Sequence, residues 1–253
     1  MTQREICNNQ KTGVYATTAP LTNVSMCSKA LLRAVDRPFH LPGFVCFYGP
    51  SGWGKSTAAT YVANTQDAYY IQCMDTWTKK AVLLAILQQM GIPPAKTMYE
   101  MIEQVCRQLS NSGRPLIVDE FDHIVKREAV EMIRDIYEGS RAAILLIGEE
   151  LLPDKLKRWE RFHGRVLDWV PAQPADFDDC QHLARLYVHN MEIGTDLLQA
   201  IHNASRGSAR RIVVNLGLVQ EHAAGLGLDS IDLGEWGSRK FYTGEPPERR
   251  IVR

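Results

Sequence analysis

Phe44-Val45-Cys46-Phe47-Tyr48-Gly49-Pro50-Ser51-Gly52-Trp53-Gly54-Lys55-Ser56-Thr57 is the stretch that decides how this chain folds. Its first half is a short apolar run between Gly43 and Gly49, which predicts a buried strand. Its second half has the pattern G-x-x-x-x-G-K-S, and residues 56–64 then read as a helix. A glycine-rich turn between strand and helix lets backbone N–H groups close around phosphate oxygens, and the dipole of the following helix favours an anion at its start. Gly49, Pro50, Ser51, Gly52, Trp53, Gly54, Lys55, Ser56 and Thr57 are therefore the candidate nucleotide-binding residues. In such a turn the lysine, here Lys55, reaches the β and γ phosphates, and the hydroxyl of Ser56 ligates Mg²⁺. The expected ligand is ATP with Mg²⁺.

Downstream, Leu116-Ile117-Val118-Asp119-Glu120 is an apolar strand ending in two carboxylates, 64 residues after Lys55. Strand ends on one edge of a parallel sheet converge on the phosphate site. Asp119 is then the second metal-side residue, and Glu120 the group that polarises an attacking water. Arginines complete such sites by neutralising charge on the phosphates. The basic segment 155–165 supplies Arg161 as first candidate and Arg158 as second; a solvated basic helix face is the competing reading. Gly207-Ser208-Ala209-Arg210 opens a helix near the C-terminus and offers Arg210, which either folds back onto the γ phosphate or stays on the surface.

Outward from these motifs, strands and helices alternate. Residues 68–73, 116–118, 142–147 and 165–170 read as further strands. Helices are expected at 23–36, 78–90, 97–111, 128–137 and 151–162, the last basic and amphipathic. The alternation predicts an α/β fold, a five-stranded parallel P-loop sheet sandwiched by helices. Pro171-Ala172-Gln173-Pro174 breaks the chain, and only helical patterns follow, at 177–191, 196–203 and 208–223. The expected organisation is an N-terminal arm (1–22), a P-loop ATPase domain (23–173), a small all-helical lid (174–232) and a basic tail (233–253) with Arg249, Arg250 and Arg253.

The bulk numbers suit that plan. The chain has 253 residues, 45% hydrophobic, enough for a sizeable core. Lys plus Arg balance Asp plus Glu at 29 each, so nucleic acid must be met by a local patch rather than a whole-protein basic field. The six cysteines, at 7, 27, 46, 73, 106 and 180, form no C-x-x-C pair and suggest reduced thiols rather than a disulfide framework. No stretch approaches the roughly 18 apolar residues of a membrane span, and no apolar leader follows Met1. A cytoplasmic chain without a membrane partner is expected.

Together, the P-loop, the Asp-Glu strand end, the basic segment containing Arg161-Phe162 and the Gly-x-x-Arg of the helical lid resemble an AAA+ ATPase over about residues 24–223. Val118-Asp119-Glu120-Phe121-Asp122-His123, Ile147-Gly148-Glu149-Glu150, the compact size and the order of elements are similar to the DNA-transposition ATPases: the B protein of Mu-like phages and its relatives in Tn7-type and insertion-sequence transposons. That resemblance implies an ATPase that assembles with itself into filaments or rings on double-stranded DNA, selects the insertion target, activates a transposase, and leaves DNA on hydrolysis. It places ATP between subunits and an arginine in trans. Two departures stand out. The phage Mu protein carries a helix-turn-helix domain ahead of its ATPase, for which the residues before the first helix are too few. The polar residue that ends the fourth strand, often Asn or Thr, is Glu149.

DNA gripped at its phosphates is positioned without being read. Thr76, Thr78, Lys79 and Lys80, with Lys96 and Thr97 at the next helix start, are the candidate contacts, since hydroxyls, helix N-termini and lysines all meet phosphate oxygens. An ordinary capped, solvated helix start accounts equally well for the threonines. A helicase loader, a secretion-associated ATPase and a nucleotide-switched signalling protein remain the alternatives.

Overall fold

The computed structural model describes residues 19–245; most of the expected arm and the three tail arginines lie outside them. α1 (Thr22–Val35) buries Val24, Cys27, Leu31 and Ala34 on one face and leads into β1 (Phe44–Tyr48), whose first four residues are buried. The Gly-rich turn and α2 (Lys55–Thr65) follow. β2 (Tyr69–Gln72), α3 (Lys79–Gln89), α4 (Met98–Ser112) and β3 (Leu116–Asp119) come next. Two helices, α5 (Phe121–Lys126) and α6 (Val130–Ser140), precede β4 (Ile144–Gly148). Then come α7 (Leu152–Leu156), α8 (Glu160–His163) and β5 (Val166–Pro171).

The strands form one parallel sheet in the order β2-β3-β4-β1-β5. β1 and β3, which carry the two motifs, therefore flank β4, and their C-terminal ends open on the same edge. Parallel strands are covered on both faces, which is why Phe44–Phe47, Leu116–Val118 and Ile144–Ile147 are continuous apolar runs. Alternate residues feed two cores: Val45, Phe47, Ile117 and Leu145 face α1, α2 and the C-terminal helices. Phe44, Cys46, Leu116 and Val118 face α3 to α8.

The C-terminal region holds α9 (Phe177–Tyr187), β6 (Glu192–Ile193), α10 (Thr195–Ser205), α11 (Ala209–Leu226), β7 (Ser230–Ile231) and α12 (Leu233–Trp236). Four differences from the sequence expectation have physical causes. The helix expected over 151–162 is split at Lys157–Trp159. At 100° per residue Phe162 lies well off the Leu152/Leu156 stripe, and the break turns it inward to stack on Phe44 at 4.5 Å. α5 was not foreseen, because it starts directly after the strand with no side-chain cap. The lid is not wholly helical: α9 stops at Tyr187, and β6 pairs in parallel with β7, a two-residue match brought together only by folding. The expected tail begins with α12, where Asp232 and Glu235 form a capping box and Trp236 is 3% exposed.

Candidate functional site

The loop after β1, the start of α2, the ends of β3 and β4 and the C-terminal helices line one cavity of about 350 Å³. Its wall contains Ser51, Gly52, Gly54, Lys55, Ser56, Thr57, Asp119, Glu120 and Arg210 from the sequence-derived set, together with Gly148 and Glu149. Gly52 and Gly54 both have φ +82, a left-handed conformation that side chains resist. A Cβ on Gly52 would also meet Ser208 Oγ at 2.9 Å. The glycines thus curl the loop and let the lid lie against it. Gly49, Pro50 and Trp53 contribute backbone: the Lys55 ammonium donates to the carbonyls of Gly49 (2.7 Å) and Pro50 (2.9 Å). Burial holds the Lys55 ammonium below its ordinary value, against the opposing pull of Glu120 and Asp119.

Asp119 ends β3 and is 1% exposed. Its Oδ1 accepts the Glu120 N–H (2.8 Å) and its Oδ2 accepts the Tyr70 phenol (2.9 Å). Burial and the Asp119 charge push the Tyr70 hydroxyl up, so it remains a neutral donor. Glu120 has φ +55, sparse territory for a non-glycine residue. That twist ends the strand and puts Glu120 on the cavity wall. Burial, then the neighbouring Asp119, raises its carboxyl above the usual value.

Glu149 sits on the cavity wall too, held by a network nothing in the sequence announced. Its N–H donates to Asp122 Oδ2 (2.6 Å), and Lys155 Nζ donates to Asp122 Oδ1 (2.6 Å) while lying 3.4 Å from Glu149 Oε2. A Cβ on Gly148 would run into the Asp122 carboxylate and Leu152, so glycine there lets α5 approach the end of β4.

The lid meets the loop directly. The Arg210 N–H donates to the Gly52 carbonyl (3.0 Å), Ser208 Oγ to the same carbonyl (3.3 Å), and the Arg210 guanidinium lies 3.5 Å from Ser51 Oγ. Ser208 also caps α11 through Arg211 N–H. Asn23, 3% exposed, clamps three segments: its amide donates to the carbonyls of Trp53 and Gln173 (both 2.8 Å), and its Oδ1 accepts the Gln173 N–H (2.8 Å). A capping residue at 208 is readable from sequence; the Asn23 clamp is not. Leu21, Leu183, Tyr187, Val213 and Val214 make the cavity's far wall apolar, suited to a flat base next to a polyanion end.

The residues fit a nucleoside triphosphate with a divalent cation. Ser56 and Asp119 bring oxygen donors to one cavity, which a hard cation prefers. Among the described residues no cluster of three or more His, Cys, Asp or Glu side chains forms a self-sufficient metal cage. An ion there would draw its remaining ligands from phosphate and water, as Mg²⁺ commonly does.

The other candidates lie apart. Arg161 is exposed in α8 and is not on the cavity wall. Arg158 is exposed, donates to the Val125 carbonyl (3.3 Å) and lies over the Trp159 ring at 5.2 Å. Thr78 and Thr97 cap α3 and α4: Thr78 Oγ1 accepts from Ala81 N–H, and Thr97 forms a capping box with Glu100. Thr76, Lys79, Lys80 and Lys96 are exposed, and the three lysines have no ion-pair partner among the described residues. The preceding Asp75 is pinned to α5 by Lys126 at 2.6 Å. No described helix is long and apolar enough to cross a membrane. Cys27, Cys46, Cys73, Cys106 and Cys180 are free thiols.

A parallel sheet of order β2-β3-β4-β1-β5 flanked by helices, with a helical C-terminal region, is the AAA+ fold. Residues 37–156, from the end of α1 through α7, match the family model of an AAA domain. Among solved structures the chain is similar to the Orc1 protein of Aeropyrum pernix in complex with DNA, with TM-score 0.62 and 16% identity, covering 84% of this chain and 62% of that one. It is likewise similar to Cdc6p from Pyrobaculum aerophilum, with TM-score 0.61 and 16% identity, covering 82% and 62%. The Holliday junction branch migration motor RuvB of Thermotoga maritima gives TM-score 0.58 and 19% identity, covering 84% and 66%. This chain thus spans about three fifths of the first two, and the likeness is one of fold. No curated protein matches the chain in sequence.

Proposed function

We propose that the chain is an ATP-dependent, sequence-nonspecific DNA-binding ATPase that assembles with itself on double-stranded DNA, selects a transposition target there and activates a transposase. The observation that carries the nucleotide part is the convergence of Lys55, Ser56, Asp119, Glu120 and Arg210 on one cavity closed by the lid. Gly49 to Thr57 hold the triphosphate through backbone N–H groups at the start of α2. Lys55 leaves the Gly49 and Pro50 carbonyls for the phosphates. Ser56 and Asp119 hold Mg²⁺, which when bound neutralises phosphate charge. Glu120, its basicity raised by burial and by Asp119, orients and deprotonates the attacking water.

Arg210 joins the lid to the loop, so its contact with the nucleotide couples phosphate state to lid position. Arg161, with Arg158 second, is exposed and off the wall of its own cavity, and serves the cavity of a neighbouring subunit, making hydrolysis depend on assembly. Supporting the DNA part are the exposed Thr76, Lys79 and Lys80 at the start of α3 and the exposed Lys96 before α4, and the similarity in fold to an Orc1 protein that was solved with DNA. The transposition role rests on the likeness of 118–123 and 147–150 to the transposition ATPases.

The test is ATP hydrolysis by the purified chain with and without nonspecific duplex DNA, with electron microscopy of the ATP-bound mixture. Filaments or rings on DNA, and hydrolysis altered by DNA, are expected. Nucleotide binding with neither response would sink the DNA reading and favour a nucleotide switch that acts on a protein partner.

A further inference from the structure

Tyr70 has no place in the phosphate motif, yet it touches the residue that the motif depends on. β2 pairs with β3 in parallel, with Tyr70 opposite Ile117. Asp119, two residues further along β3, shares the face of Ile117, so Tyr70 and Asp119 are diagonal neighbours within reach of a long side chain. The Tyr70 ring packs against the core shared by α1, α2 and the lid, which fixes its direction. Its hydroxyl ends 2.9 Å from Asp119 Oδ2. On the other side the ring borders a second cavity, about 640 Å³, lined also by Thr60, Tyr61 and Gln72. Ser56 and Thr57 wall both cavities, so Tyr70 stands where the metal side of the nucleotide cavity meets the α2/β2 groove.

We propose that Tyr70 is a positioning residue for the divalent cation: its phenol and the Glu120 N–H each occupy one oxygen of Asp119 and hold the carboxylate in a single orientation. An aspartate free to turn about its side-chain bonds would ligate a cation directly or through water, in several geometries. With both oxygens already accepting, Asp119 presents only its remaining lone pairs. Partners that orient a metal-side carboxylate in this way commonly change metal affinity by 10-fold to 100-fold when removed. The ring keeps this role independent of packing, because Tyr70→Phe removes one hydroxyl and leaves the apolar body in place. The proposal rests on the ATP–Mg²⁺ reading of the site.

The experiment titrates Mg²⁺ into the purified chain with a fluorescent ATP analogue and reads binding, for wild type and Tyr70→Phe. The expected result is equal affinity for the analogue in EDTA, with the Mg²⁺ concentration for half-maximal tightening raised about tenfold in the variant. A parallel Mn²⁺ titration read by electron paramagnetic resonance should shift in the same direction. Tyr70→Phe curves within twofold of wild type in both metals overturn the proposal while leaving the nucleotide site intact. A wild-type chain whose analogue binding ignores Mg²⁺ refutes the metal reading itself, and this proposal with it.

Discussion

Asn23→Ala should damage this protein more than any helix-surface change of similar size. Asn23 lies in the first turn of α1, is 3% exposed, and its amide satisfies three backbone groups, namely the carbonyls of Trp53 and Gln173 and the N–H of Gln173. Each hydrogen bond is worth about 1 kcal/mol net, and a buried group left without a partner loses about that or more. Three such losses amount to about 3 kcal/mol, a large part of the roughly 5–15 kcal/mol by which domains are stable. For a chain of this size the midpoint of thermal unfolding should fall by roughly 6–12 °C. Calorimetry without nucleotide measures it. Asn23→Asp sharpens the test, since a carboxylate still accepts from the Gln173 N–H but sets negative charge against two carbonyl oxygens; it should lose at least as much as alanine. A loss below about 1 kcal/mol for alanine, or tolerance of aspartate, would mean that the Asn23 amide does not hold these segments together.

Lys55→Ala should abolish binding of a fluorescent ATP analogue, whereas Glu120→Gln should keep binding and lower hydrolysis by about 10²-fold or more; loss of binding in both would undo the separate roles. Arg161→Ala should bind nucleotide normally yet hydrolyse poorly, and should regain activity when mixed with Lys55→Ala subunits, whose own cavity is dead; no recovery in the mixture, with Arg158→Ala behaving alike, would count against an arginine acting in trans. Burial, then Asp176, raises the Asp179 carboxyl above its ordinary 3.8, against the Thr22 N–H that it accepts. The folded state therefore holds this proton more tightly than the unfolded chain, so stability should decline as pH rises from about 3.8 through the raised value. Asp179→Asn should flatten that decline in denaturant melts, and an unchanged slope would reject the assignment.

Much of the fold was legible because it is written in local rules. Continuous apolar runs at 44–47, 116–118 and 144–147 announce strands buried on both faces, and Gly52 and Gly54 mark a turn that only a backbone without Cβ can make at φ +82. The motifs carry the chemistry for the same reason: a phosphate loop and an acidic strand end need particular residues at fixed spacing. What the chain alone could not reveal depends on residues far apart in sequence. The Asn23 clamp joins residues 30 and 150 positions away. Tyr70 meets Asp119 only because β2 lands beside β3 in one register, and Lys155 meets Asp122 only because α5 and α7 pack together at the end of β4. β6 and β7 are too short to show a period and exist only as a pair. Sequence determines what each segment prefers by itself; which side chains meet is decided when the core closes, since burial forces each polar group to find whatever partner the packing places within reach.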